Sequence, residues 1–290
     1  MTALFGRITV AGVGLVGGSL ALAVRETGSA GEVVGFGRTA KNLELARERA
    51  LVDRVTQDPA EAVRDADLVV LATPVGACAE LAERFRDYAR PGAILTDVGS
   101  VKTEVVAALE ARWAAVGPVV GGHPIAGSEA SGAGAARADL FRGRRCILTP
   151  TPATDPAAVT RVAALWHAVG ARVEEMLPTV HDEILARVSH LPHIVAYALV
   201  HAVADLRIAG RQVLDYAGTG FRDTTRIAAS PADVWRDIAL ANAEPLRAAL
   251  AEFRVVLDAL ERYVAAGDVA GLEAELHAAR SARQRLGRSG

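Results

Sequence analysis

The sequence predicts an α/β fold: an N-terminal doubly wound parallel sheet followed by an all-α C-terminal domain. Three observations predict it. Short apolar runs alternate with helical stretches as far as Pro178. The first apolar run ends in a cluster of glycines. Beyond Pro178 the alternation stops, and a sequence rich in Ala, Leu, Glu and Arg continues to the end.

The apolar run at 8–11 reads as a buried strand, and 19–25 as the helix that follows it. A second strand is expected over 32–36, centred on Val33 and Val34, then a helix over 42–50 with Leu43, Leu45 and Ala46 as its apolar members. Residues 67–72 form a third strand, stopped by Pro74; 77–88 form a helix and 93–97 a fourth strand. Further strands are expected at 119–122, 146–149 and 172–176, with a helix over 155–170 started by Pro156. Such alternation builds right-handed βαβ units and a parallel sheet. From His181 onward the pattern is helical, broken near 218–220, at Pro231 and near 267–271. The boundary falls near Pro178, giving domains 1–178 and 179–290.

Composition narrows the function classes. The 290 residues are 51% hydrophobic and 23% charged, which suits a globular protein and excludes wholesale disorder. A net charge of -2 supports neither a nucleic-acid partner nor an anionic membrane. Cys78 and Cys146 make neither a disulfide framework nor a metal knuckle, so no metal is expected. The N-terminus lacks the pattern of a secretory signal, and no apolar stretch is long enough to span a bilayer. The expected location is the cytoplasm.

Gly12-Val13-Gly14-Leu15-Val16-Gly17-Gly18-Ser19 fits G-x-G-x-x-G between a strand and a helix, the Rossmann-like context for a dinucleotide. The glycines let the backbone turn tightly and approach a pyrophosphate, which faces the helix N-terminus. Gly12, Gly14, Leu15, Val16 and Gly17, with Thr73 and Pro74 after the third strand, are the expected cofactor contacts. An acidic residue after the second strand would grip the ribose diol of NAD, but Gly37-Arg38-Thr39 stands there. Arg38 and Thr39 suit a 2′-phosphate, which favours NADP and leaves NAD open, since Arg38 can equally stack on adenine or face solvent.

Four further segments carry chemistry. Asp97-Val98-Gly99-Ser100-Val101-Lys102 follows the fourth strand, and Gly122-His123-Pro124-Ile125-Ala126-Gly127-Ser128-Glu129 the fifth. His181-Asp182 and Ser189-His190-Leu191-Pro192-His193 open the helical half, and Gly220-Phe221-Arg222-Asp223-Thr224-Thr225-Arg226 follows a bend. Oxidising an alcohol needs a base for the hydroxyl proton, and His123 suits it; a structural histidine capping a loop is the alternative. Ser100 either orients that histidine or the nicotinamide, or caps the helix starting near Val101. Lys102 either holds charge near the site or is solvated. Ser189 and His193 lie four apart and share a helical face, as do Arg222 and Arg226, which suit carboxylate recognition unless they are a solvated face paired with Asp223.

Together and in order, these segments resemble the prephenate dehydrogenase family, from Arg7 to Asn242 and including Trp235-Arg236-Asp237-Ile238. The resemblance implies oxidative decarboxylation of prephenate to 4-hydroxyphenylpyruvate in tyrosine biosynthesis, or of arogenate, its amino counterpart. It implies that His123 accepts the hydroxyl proton and that Ser100 bridges hydroxyl, His123 and cofactor. Arg226 would bind a carboxylate, with Ser189, His193 and Arg222 at the pyruvyl end. Ser128 and Glu129 would sit at the mouth, and Trp235 would reach the partner's site in an intertwined homodimer. Neither a fused mutase domain nor a separate tyrosine-sensing module is expected in this length. A β-hydroxyacid dehydrogenase is disfavoured because no lysine follows Lys102. A dinucleotide-sensing regulator would not need His123, Ser100, His193 and Arg226 together.

Overall fold

The computed structural model describes residues 3–127, 130 and 132–286. The chain divides into two compact units, 1–243 and 244–290. The compositional shift at Pro178 coincides with the first residue of a helix inside the first unit.

An eight-stranded sheet organises the first unit, in the order β3-β2-β1-β4-β5-β6-β7-β8. Its first half runs β1 (Phe5–Ala11), α1 (Leu15–Thr27), β2 (Ala30–Phe36), α2 (Ala40–Glu48), β3 (Arg54–Thr56), α3 (Pro59–Val63) and β4 (Leu68–Leu71). Then come α4 (Val75–Arg86), β5 (Ile94–Asp97), α5 (Thr103–Trp113), β6 (Val119–Pro124), β7 (Arg145–Thr149), α6 (Pro156–Ala168) and β8 (Arg172–Glu175). β3 and α3 had no clear apolar signature, being short and charged; Asp58 accepts from Ala60 N at the start of α3. α1 begins four residues earlier than its apolar pattern suggests, because Gly17 and Gly18 are themselves helical and buried.

All strand pairs of this sheet are parallel except β6 with β7. Two apolar layers cover the sheet faces. One gathers Ile8, Leu20, Val33, Leu68, Phe141 and Trp166; the other gathers Leu71, Phe85, Leu95, Leu109 and Trp113. Burial of both faces explains the near-continuous Val and Leu runs of the central strands.

The helical part continues with α7 (Pro178–Leu185), a π-helical turn (Ala186–His190) and α8 (Leu191–Ala204). A small hairpin, β9 (Arg207–Ile208) and β10 (Arg211–Gln212), interrupts the helices. Its two-residue turn places Ala209 and Gly210 at positive φ, 50° and 79°. α9 (Thr219–Thr225), a 3-10 turn (Arg226–Ala229) and α10 (Ala232–Ala241) complete the first unit, and α11 (Ala243–Ala266) starts at its last residue. The second unit holds the rest of α11 and α12 (Val269–Arg285), which Asp268 caps through Gly271 N at 2.9 Å. No helix among the described residues is long and apolar enough to cross a membrane.

Candidate active site

The sheet order reverses between β1 and β4, so their carboxyl ends open the crevice where doubly wound sheets bind ligands. Gly12 leaves β1 at φ 99°, and its N–H donates to the Phe36 carbonyl at 2.8 Å. A side chain on Gly12 would meet the Ala72 carbonyl, and one on Gly17 would meet the Gly12 carbonyl and Ala72. Those two glycines are required by packing. Gly14 differs: among the described residues beyond its chain neighbours, nothing lies within 4 Å of the place a Cβ would take. This open space at the N-terminus of α1 suits a pyrophosphate.

Leu15 and Val16 start α1 and pack partly against the core. Thr73 follows β4, with its methyl group beside the position a Gly12 Cβ would take, and Pro74 starts α4. Arg38 and Thr39 are exposed between β2 and α2. Gln57 Nε2 donates to the Arg38 carbonyl at 2.6 Å, whereas the guanidinium has no partner among the described residues. Thr39 occupies the N-cap of α2 without its hydroxyl capping the helix.

His123 lies inside β6, not in the loop expected after it. The strand continues through Pro124 because β7 pairs with it antiparallel, His123 opposite Ile147. The ring is 9% exposed. Its Nδ1 lies 2.8 Å from His181 Nε2, and His181 Nδ1 lies 2.8 Å from Asp182 Oδ1. Asp182 also accepts from Lys102 N at 2.8 Å and Thr103 N at 2.7 Å, so this carboxylate, not Ser100, caps α5. Burial works to raise the Asp182 carboxyl, but its bonds from His181, Thr103 and Lys102 outweigh this and hold it below the usual range. Burial pushes His123 well below the ordinary histidine value, with the positive charge of Lys102 acting the same way. His123 is therefore a neutral base.

Lys102 is fully buried, not solvated. Its ammonium pairs with the Asp97 carboxylate and donates to the Gly122 carbonyl at 2.8 Å. Asp97 also receives Gly99 N at 2.8 Å and Gly122 N at 3.3 Å. This pair ties the end of β5 to the residue before His123. Gly121 is small because a Cβ there would strike Thr149 and Val106.

A second polar group adjoins the first. Asn242 Nδ2 lies 2.9 Å from the Asp182 carbonyl and 2.9 Å from His190 Nδ1. Accepting there places the His190 proton on Nε2, a buried atom with no hydrogen-bond partner among the described residues. Burial lowers His190 to about 4, against the opposite pull of Asp182. His193 donates from Nδ1 to the Ser189 carbonyl at 3.0 Å, so Nε2 is left as an acceptor. Its ring stacks on Trp235 of its own chain, with centroids 3.4 Å apart. His190 meets the same indole edge-on at 6.1 Å.

The expected residues thus fall into three groups. His123, His181 and Asp182 are joined directly. His190, His193, Trp235 and the Ser189 carbonyl form the adjoining group. Arg222 is exposed on α9, its Nε 3.3 Å from the Ala217 carbonyl. Arg226 opens the 3-10 turn, not the same helix as Arg222, and that turn packs against α8, which carries His193. Ser128 and Glu129 lie outside the described residues. Among the described residues no group of three His, Cys, Asp or Glu could hold a metal ion. Sequence reasoning missed the Asp97–Lys102 pair and the role of Asp182 as a helix cap. The partners are 5 and 80 positions apart, and only for the nearer pair does the motif itself contain both residues.

Comparisons with known proteins show the family. The family model for the nucleotide-binding domain of prephenate dehydrogenase matches residues 20–175, and that for its dimerization domain matches residues 177–278. A cyclohexadienyl dehydrogenase of Zymomonas mobilis is 36% identical over 91% of this chain and 90% of its own length. A prephenate dehydrogenase of Bacillus subtilis is 35% identical over 91% of this chain and 72% of its own. Among solved structures, the A. aeolicus prephenate dehydrogenase in complex with hydroxyphenyl propionate and NAD+ has a TM-score of 0.93. It is 34% identical and covers 97% of this chain and 98% of that one. The Synechocystis arogenate dehydrogenase has a TM-score of 0.82 at 31% identity, covering 97% and 99%.

Proposed function

The chain belongs to the prephenate dehydrogenase family, and from that premise we propose that it oxidatively decarboxylates prephenate to 4-hydroxyphenylpyruvate. The observation that carries the reading is the direction of hydrogen bonding at His123. Asp182 is an acceptor only, so His181 in its neutral form donates from Nδ1 and accepts at Nε2. His123 must then donate from Nδ1, which leaves its Nε2 lone pair for the substrate hydroxyl.

A nicotinamide dinucleotide, when bound, supplies the hydride acceptor. Gly12, Gly14 and Gly17 form the turn that would hold its pyrophosphate, with Leu15, Val16, Thr73 and Pro74 around it. Arg38 and Thr39, exposed at the end of β2, favour NADP over NAD. His123 takes the hydroxyl proton, and Ser100 orients the hydroxyl. Arg226 binds a carboxylate, and His193, steadied by Trp235, offers its Nε2 to the pyruvyl end alongside Ser189 and Arg222. We assign dinucleotide binding to residues 1–178 and substrate binding and homodimer formation to 179–290, in keeping with the dimerization model that matches the latter.

Arogenate is the second reading, favoured by the likeness to the Synechocystis enzyme. The test is reduced-cofactor formation from prephenate and from arogenate, each with NADP and with NAD. Turnover of prephenate with a lower KM for NADP is expected. Turnover of arogenate alone would reverse the substrate assignment, and a marked NAD preference would remove the role of Arg38. Binding of the dinucleotide with no turnover of either acid would revive a sensing role.

A further inference from the structure

His123 has a difficulty as a base. It is buried, it lies in the field of the Lys102 ammonium, and a proton left on it makes a second positive charge there. The chain behind it offers somewhere else for that charge. His181 is 0% exposed and Asp182 2% exposed, and both links of the chain measure 2.8 Å.

The polarity of the chain is set from its far end. Asp182 accepts from two backbone N–H groups of α5 and from His181. With His181 neutral before the reaction, every proton along the chain points toward Asp182, as a directed transfer requires. We propose that His181 is the destination of the substrate proton, reached through His123, with Asp182 as its counter-ion.

The step balances as follows. The substrate O–H bond breaks and a bond forms to His123 Nε2. The His123 Nδ1–H bond breaks and the proton joins His181 Nε2. His123 is neutral again, and His181 is an imidazolium whose Nδ1–H faces the Asp182 carboxylate. No oxidant beyond the hydride acceptor of the main reaction is needed. The other groups facing the chain do not compete for the proton. Lys102 is held by Asp97, and His190, lowered to about 4 chiefly by burial, stays neutral and bonded to Asn242. Asn242 also holds the Asp182 carbonyl, which steadies the residue that ends the chain.

This inference rests on the reading of His123 as the base, and the two can be told apart. His181→Gln keeps an oxygen that can accept from His123 Nδ1–H but cannot take a proton. Its kcat should fall about 100-fold with KM within a factor of two, the size of a lost acid–base contribution. A kcat within threefold of the parent would show that His181 only orients His123, and would overturn the relay. His123→Asn measured beside it tests the base itself: if that variant is inactive while His181→Gln is normal, only the relay fails. If His123→Asn keeps its kcat, the base assignment fails first. Should His181→Gln not fold, as judged by circular dichroism, Asp182→Asn serves in the same assay. It keeps an acceptor for one of the two α5 amides and removes the counter-ion, so kcat should fall at least tenfold at unchanged KM. An unchanged kcat would again overturn the proposal.

Discussion

At the end of β1 the candidate cofactor edge is made of backbone: a positive-φ glycine, a helix start and an open space over Gly14. Behind His123 the opposite holds, for side chains from β5, β6, α7, the π-helical turn and residue 242 meet out of water. The first region uses neighbours in sequence and depends on what is left out. The second joins residues 58, 80 and 60 positions apart and depends on the hydrogen bonds between them. A backbone cradle tolerates change until an atom enters its space. A buried polar chain fails when one link is removed.

The largest expected effect tests the second region at its working end. His123→Asn should lower kcat by roughly 10³ with little change in KM. A retained kcat, measured by steady-state reduced-cofactor formation, would break the view that the chain ends in a base.

Acid should expose the same region. His190 titrates near 4 in the fold and near its ordinary value when unfolded, so the unfolded chain binds its proton first as pH falls. Stability is thus complete above about 6.5 and lost as pH falls toward 4, by roughly 3 kcal/mol for this group. His123, lowered in the same direction, adds to the loss. Urea midpoints at pH 7.5 and pH 4.5 would show it, and equal midpoints would contradict the buried neutral histidines. The same lowering of His123 places the acid limb of kcat/KM below the ordinary histidine range.

Arg226→Ala sharpens the contrast at the exposed rim. It should raise the substrate KM about 30-fold with the fold intact, as expected for one charge-assisted bond to a carboxylate. An unaltered KM moves the carboxylate site elsewhere. Asn242→Ala removes two buried bonds at once and should cost about 2 kcal/mol of stability, read as a lower urea midpoint. No loss would mean that His190 and Asp182 hold their places without it.

The smallest effect belongs to the backbone cradle. Gly14→Ala meets no atom of the described residues beyond its chain neighbours, so thermal stability should be unchanged while the dinucleotide Kd rises on the order of tenfold. Gly17→Ala, whose Cβ would strike the Gly12 carbonyl, is the counter-case and should destabilise the fold itself. If Gly14→Ala binds cofactor normally, the space above it is not the cofactor's.

The residues by themselves determined the alternation of strands and helices, the glycine turn and the change of pattern at Pro178. Each of these is a short-range property, set by hydrophobic period or by the backbone freedom of a few adjacent residues. Local sequence also placed His123, Ser100 and the His181–Asp182 pair among the candidates, but it could not join them. Tertiary structure alone decided that β6 runs on through His123, because the extension depends on the antiparallel partner β7. It also decided that Lys102 is buried against Asp97, and that Asp182 both caps α5 and faces His181. Trp235 was legible as a motif residue, yet its stacking on His193 required α10 and α8 to be packed together. The physical reason is range. A turn is specified by the residues within it, whereas the direction of a proton along three buried side chains is specified only when the fold brings all of them within hydrogen-bonding distance.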